Sequence, residues 1–443
     1  MASAHAIQIK PDNTGMWQIR QSEPAAKKAT DLLQKDFETH HCFFNSEGFH
    51  NHISHHILAL YGTGASPEDL EKAYDDNASY QRSMYQVHED RIEALHDWEK
   101  AKQRMGKEQY YTDFLVFFQR EIQKLGWEKV LDQYMFKGDE RSEDMLIRMH
   151  GGFLHPLIQL MYGVEWQQPA IVAMALAQAA VHEDNLRSFL LTAEEASKSA
   201  STPMPSIASL LDVVKADEKL ATAAILGDSN KVRDGVLTRA RDEIIRIAGQ
   251  VKIKPEELDE RTVEMYNTAI YEGAAAAIRP GKDAKFDFFL IHHINVCPIY
   301  LAFNKMRWVS TETKVRLLEW KIRMDLIQYA ARACAPLSVD KITSYVPRDK
   351  KPGPAIELLP RIHSLEEDGH VVKLFRAIGV GQNASKEYED KDWMKIKGDL
   401  WTKIGHMVFD GAETPGPTWI RGSGDPDAWK EVHDRAEPNK EHL

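Results

Sequence analysis

Residues 169–191 read PAIVAMALAQAAVHEDNLRSFLL. Proline opens the run, where its missing N–H is no loss to a helix. Ala170, Ala173, Ala175, Ala177, Ala179 and Ala180 follow among larger aliphatic residues. Alanine is the strongest helix former, and a surface this small lets a neighbouring helix approach closely. The stretch predicts a long buried helix over 169–191, and the chain on either side keeps the same habit. Upstream, Ser66-Pro67-Glu68-Asp69 has a capping serine, a proline in the first turn and an acid at the third position, opening a helix through Tyr74. Ile92, Leu95 and Trp98 keep helical spacing within Tyr85 to Gln103, and Tyr110 to Leu125 is another helix. Downstream, Ala216 to Leu226, Asn230 to Ala248, Pro255 to Ala277 and Thr311 to Ala333 follow the same pattern. Period-two strands are scarce, so the class is all-α.

Breaks fall at residues 197–206, 279–285 and 346–355, lengths that suit inter-helix loops. No repeat recurs at a fixed period. The expected organisation is one large multi-helix domain, 1–410, followed by a Pro/Gly-rich tail, 411–443. At 443 residues, with 43% hydrophobic and 28% charged residues, the chain has a globular composition. Its formal charge of −11, with acids and bases mixed, argues against a nucleic-acid surface. No apolar run is long enough for a membrane span, and the first residues lack a basic-then-apolar leader. Cys42, Cys297 and Cys334 are odd in number and far apart, which points to a reducing, cytoplasmic setting without disulfides.

Histidine is the compositional oddity. Of nineteen, six fall in seventeen residues: His40, His41, His50, His52, His55 and His56. Such a tract suits either a metal site or a polar helix face. Read as a helix from Asn51 to Tyr61, it places Ile53, Ile57, Leu60 and Tyr61 on one face, with His52 and His56 one turn apart at its edge and His55 nearly opposite. Two imidazoles at i and i+4 can share a metal, but a solvated helix with one buried histidine explains the pattern equally. His155-Pro156 puts an imidazole at a rigid helix start, between apolar stretches. Phe286 to Ile294 is apolar all round, which implies burial of His292 or His293; periodicity does not choose between them. In the segment from Ser364 to Ala377, Ser364 and Glu367 read as a capping box. His370, Lys373 and Ala377 share a face apart from the apolar stripe, ordinarily a solvated one.

Four stretches together resemble the questin oxidase-like family of fungal secondary metabolism. They are Asn51-His52-x-x-His55-His56 followed by Gly64-Ala65-Ser66-Pro67; His155-Pro156 followed by Tyr162-Gly163; Asp287-Phe288-x-Leu290-x-His292; and His370-Val371-Val372-Lys373-x-x-Arg376-Ala377. They span most of the chain. The resemblance implies a non-haem Fe(II) oxygenase that uses dioxygen to cleave a ring of an aromatic polyketide, an anthraquinone or its hydroquinone; some members are described as Baeyer–Villiger oxidases. It implies His56, His155, His292 and His370 as metal ligands, with Lys373 carboxylated on its side-chain nitrogen as the fifth. The pattern leaves His52 and His55 open beside His56, and His293 beside His292. Neighbouring aromatics Tyr162, Trp166, Phe289 and Phe375 are candidate substrate contacts. NADPH, if used, would serve an upstream quinone reductase.

Burial lowers the pKa of a lysine, and the neutral amine can then add carbon dioxide. The resulting carbamate is an anionic oxygen ligand beside imidazoles that suit iron. The string Gly379-x-Gly381-x-x-Ala384 follows a helix instead of a strand, so it fails as a dinucleotide site. Rival readings are a di-iron carboxylate oxidase built on Glu93/His96 and Glu367/His370, a metal-dependent phosphohydrolase using His96-Asp97, and a non-catalytic helical binding protein.

Overall fold

A computed structural model describes residues 1–435; the end of the expected tail, 436–443, lies outside the described residues. The all-α expectation holds. Among the described residues there is no strand, only isolated bridges such as Phe43 with His50 and Asp287 with Ile420. No helix among them is long and apolar enough to cross a membrane.

Contacts divide the chain into two compact units, each assembled from separated stretches. The first takes Met1–Ser188, Asn295–Lys314 and Leu359–Val380; the second takes Phe189–Ile294, Val315–Leu358 and the chain from Gly381 on.

In the first unit, helix Pro169–Val181 is buried along nearly its whole length and packs on helices His155–Glu165 and Tyr111–Leu125. Gly163 permits the closest approach: a Cβ there would stand 2.9 Å from the amide nitrogen of Val172. The helix stops at Val181, ten residues short of the sequence expectation. Arg148 takes the carbonyl of His182, and the Arg187 amide closes a turn on the Asp184 carbonyl at 2.9 Å. A second helix then runs Arg187–Lys198. Ser66 and Asp69 make the expected capping box on helix Pro67–Ala78. The predicted helix over 85–103 instead breaks into Glu89–Ala94 and Trp98–Lys102, because Asp97 caps the second with its side chain on the Glu99 amide.

In the second unit the longest helices are Leu258–Ala276 and, from Val315 on, Thr311–Ala331. Helix Leu400–Glu413 passes through residue 411, and beyond it Ile420, Trp429 and Val432 form a small apolar cluster. Asp287 accepts the amides of Gly422 and Ser423, which fixes that segment on the second unit.

Candidate metal centre

Three elements of the first unit bring histidines together. Helix Ile53–Gly62 has all ten residues buried, with His52 at its N-cap. Helix His155–Glu165 begins after Phe153 and Leu154, whose φ angles of 53° and 67° are left-handed without glycine. A turn this costly is kept where the surroundings demand it, and here it delivers His155 at the first helical position. Helix His370–Ser385 begins after Gly369, at φ 95°. An added Cβ on Gly369 would lie 2.7 Å from both Cβ and Cγ of His56, so only glycine lets this helix start against the first. Glu367 caps the new helix, accepting the amides of Val371 at 3.0 Å and Val372 at 3.4 Å. Ser364 bonds the carbonyl of Arg361 instead, so the expected Ser364/Glu367 capping box does not form.

His52, His155 and His370 each offer a donor atom, all within 4.8 Å of one another. Each ring spends Nδ1 on an acceptor. Nδ1 of His155 donates to the Gly152 carbonyl at 2.6 Å. Asp368 takes the other two, at 2.5 Å from Nδ1 of His370 and 3.3 Å from Nδ1 of His52. Protons held at Nδ1 leave lone pairs on Nε2. Nε2 of His52 lies 3.0 Å from Nε2 of His155, a distance at which two lone pairs repel unless a cation lies between them. Imidazole nitrogens bound at right angles to one ion, each at about 2.1 Å, lie about 3.0 Å apart. A carboxylate behind the ligating rings is the usual support of a histidine metal site. The donor set fits a transition metal that favours imidazole.

Burial, with the charge of Lys373, holds His52 and His56 down at about 3, so both imidazoles are neutral. Asp368 is held well below the carboxylate range by His370 and His52, against the cost of its partial desolvation. Lys373 is 2% exposed, and its Nζ lies 3.1 Å from Nδ1 of His55. Burial brings Lys373 down to about 8. The lysine expected to be solvated is thus enclosed. Nε2 of His55 is buried without a partner. Beside the cluster, His50 stacks on His155 at 3.8 Å and 4°, and its Nε2 lies 2.8 Å from Nε2 of His182.

The helix supplies His52 to the cluster, one of the neighbours left open beside His56. The helix begins two residues later than the sequence suggests, so His52 caps it, while Nε2 of His56 faces Oε1 of Glu367 at 3.6 Å. His292 stands in the second unit on helix Phe288–Asn295, its Nδ1 bonded to the Phe288 carbonyl at 2.6 Å. Its neighbour His293 bonds Asp325 at 2.7 Å, and Asp325 also pairs with Lys321. Tyr162 lies 6.2 Å from the His55 ring. Trp166 packs edge-on against Tyr61, and Phe375 leans on Trp17. Phe289, in the second unit, lies under Arg332. Gly379, of the dinucleotide-like string, is inside helix His370–Ser385 and abuts Trp17. Glu93 is turned outward toward Arg120, and His96 packs on Phe117; Asp97 is spent on its cap.

Residues 49–378 match the family described as Questin oxidase-like. The chain belongs to that family. It is 36% identical to "Questin oxidase" of Aspergillus fumigatus over 447 residues, covering 98% of this chain and 99% of that one. It is 34% identical to "Baeyer-Villiger oxidase ptaJ" of Pestalotiopsis fici over 439 residues, 97% and 99% of the two chains. With "Oxidoreductase AflY" of Aspergillus parasiticus it shares 35% over 404 residues, 90% and 81%. As a member of this questin oxidase-like family, the protein is an oxidoreductase. Asp368 and the Gly152 carbonyl are not marked as site groups by the sequence, and Glu367 is marked there only as a capping residue and in the di-iron pair with His370. A carboxylate two residues before a histidine, across a glycine, is the one local signal that marks the first of them.

Proposed function

We propose that this oxidoreductase cleaves a ring of an anthraquinone, in its hydroquinone form, with dioxygen at a mononuclear iron site. The ligands we assign in the first unit are His52, His155 and His370, with Lys373 as a carbamate. The observation that carries the reading is the meeting of three imidazole lone pairs in front of Asp368.

Iron bound there would supply the one-electron chemistry that dioxygen needs to react with a closed-shell organic molecule. Asp368 and the Gly152 carbonyl hold the ring protons at Nδ1 and so aim the Nε2 atoms. Lys373 is neutral often enough at physiological pH to take up carbon dioxide; its Nζ forms the new N–C bond and loses a proton, leaving an anionic oxygen. Glu367 is raised to about 7 by burial and by the Asp368 charge, which suits its carboxylate to accept a phenolic proton at neutral pH. Insertion of both oxygen atoms into the hydroquinone balances to a hydroxybenzophenone carboxylic acid, so the cleavage consumes no further reductant. NADPH would belong to the reduction of the quinone beforehand.

Anaerobic purification followed by metal analysis and oxygen-uptake measurement tests this. About one iron per chain, with about one dioxygen consumed for each chemically reduced anthraquinone, is expected. Full turnover by iron-free protein would overturn the metal assignment, and no oxygen uptake by iron-loaded protein would overturn the reaction.

A further inference from the structure

The segment entering the His52 helix is a small hairpin. The amide of Phe44 bonds the carbonyl of Phe49 at 2.8 Å, and Phe43 bridges His50. Asn45 closes the turn by accepting the amides of Glu47 and Phe49. Neighbouring side chains in extended chain point to opposite sides. One side carries Phe43 and His50, packed together beside His182, with His50 stacked on His155. The other carries Phe44 and Phe49, with ring centroids 5.9 Å apart.

Phe44 also meets Tyr80 edge-on at 5.1 Å. Tyr80 is bound to the metal side of the unit: its hydroxyl donates to Asn77, and Asn77 donates to the Glu367 carbonyl at 3.1 Å. Phe49 is 41% exposed and Tyr80 44%. Scattered single exposed apolar residues need no explanation, but a run of three rings joined through Phe44 does. The Asp368 side chain, which holds His52 and His370, is itself 45% exposed, so its carboxylate reaches solvent beside the buried rings.

We propose that Phe44, Phe49 and Tyr80 form an aromatic ledge at the Asp368 edge that receives the flat face of a planar polycyclic phenol and determines which ring systems are accepted. This rests on the function proposed above. Stacking recognises the fused rings, and the exposed Asp368 carboxylate would accept a bond from a peripheral hydroxyl. Phe49 and Tyr80 then contribute to substrate affinity without touching the ligating rings.

The test is binding of a dihydroxyanthraquinone to metal-loaded protein, followed by tryptophan fluorescence, for wild type, Phe49→Ala, Tyr80→Ala and Tyr80→Phe. Ile225→Ala, an exposed residue of the second unit, is the control. Each alanine variant on the ledge should weaken binding about 5- to 10-fold. Tyr80→Phe, which keeps the ring, and Ile225→Ala should bind as wild type. In turnover of the reduced quinone, KM should rise by the same factor while kcat and metal content stay unchanged. Wild-type affinity in both Phe49→Ala and Tyr80→Ala, with turnover intact, would overturn the ledge and leave the proposed function standing. A wild-type protein that neither binds nor turns over the anthraquinone would overturn both.

Discussion

Nε2 of His52 and Nε2 of His155 stand 3.0 Å apart, and neither has a proton to give the other. Their Nδ1 protons are committed to Asp368 and to the Gly152 carbonyl. An arrangement that is repulsive between two such neutral rings would become favourable around a cation, which is the physical basis of the proposed site.

Replacement of His52, His155 or His370 by Ala should therefore abolish stoichiometric metal, read by elemental analysis of folded protein. Asp368→Asn keeps the shape but loses the charge that supports two of the rings, and metal affinity should fall about 10- to 100-fold. His292→Ala, measured alongside, decides whether the fourth imidazole implied by the family resemblance joins the set.

Lys373→Met should cost both metal and turnover while leaving helical circular dichroism unchanged. If the anionic ligand is a carbamate, stripping carbon dioxide from apo-protein should slow reconstitution, and bicarbonate should restore it. Reconstitution indifferent to carbon dioxide would show that Lys373 acts unmodified.

Gly369→Ala should lower stability by about 1–3 kcal/mol in denaturant melts, since a left-handed φ and a 2.7 Å approach to His56 both penalise the methyl group. The same change pushes the helix bearing His370 off the helix bearing His52, so metal affinity should drop with it.

Acid should unfold the metal-free protein steeply. Burial lowers His41 and His182 to about 4 and His52 and His56 to about 3, against 6.5 ordinarily. Below pH 6.5 the unfolded chain binds protons these rings refuse, so their stabilising contribution is complete above 6.5 and is lost as the pH falls toward 3. Glu367 opposes this. Raised from 4.5 to about 7, it favours the folded chain as pH falls through 7. His55, His293 and His363 are lowered by burial as well and add to the uptake of protons on unfolding near pH 5.5, while Glu272, raised by burial, subtracts from it. The pH dependence of the urea midpoint measures it.

The helical class was legible because Ala170 to Ala180 and Thr311 to Ala331 repeat one period over many turns. The boundaries were less so. The helix expected to reach Leu191 ends at Val181 because Arg148, more than thirty residues earlier, claims a carbonyl. Among the site residues, His155 was marked by a following proline and His370 by a face shared with Lys373 and Ala377. The choice between His52 and His56 depended on a two-residue shift in where a helix begins, which periodicity cannot resolve. Lys373 looked solvated because its own helix turns a polar strip toward it; its enclosure comes from His55, 318 positions away. The left-handed turn at Phe153 and Leu154 leaves no composition signal, since neither residue favours it.

The first unit is not continuous in the chain: His52 and His155 belong to its first stretch and His370 to its last, Leu359–Val380. During synthesis at roughly 5–20 residues per second, the ribosome releases His370 roughly 15–60 s after His52. From His155 onward, for the last 215 residues of that interval, the nascent chain carries two of these imidazoles with neither Asp368 nor the third ring. Metal loading at the proposed centre would thereby be deferred until nearly the whole polypeptide exists, and a fragment truncated before residue 370 would lack one of its three imidazoles.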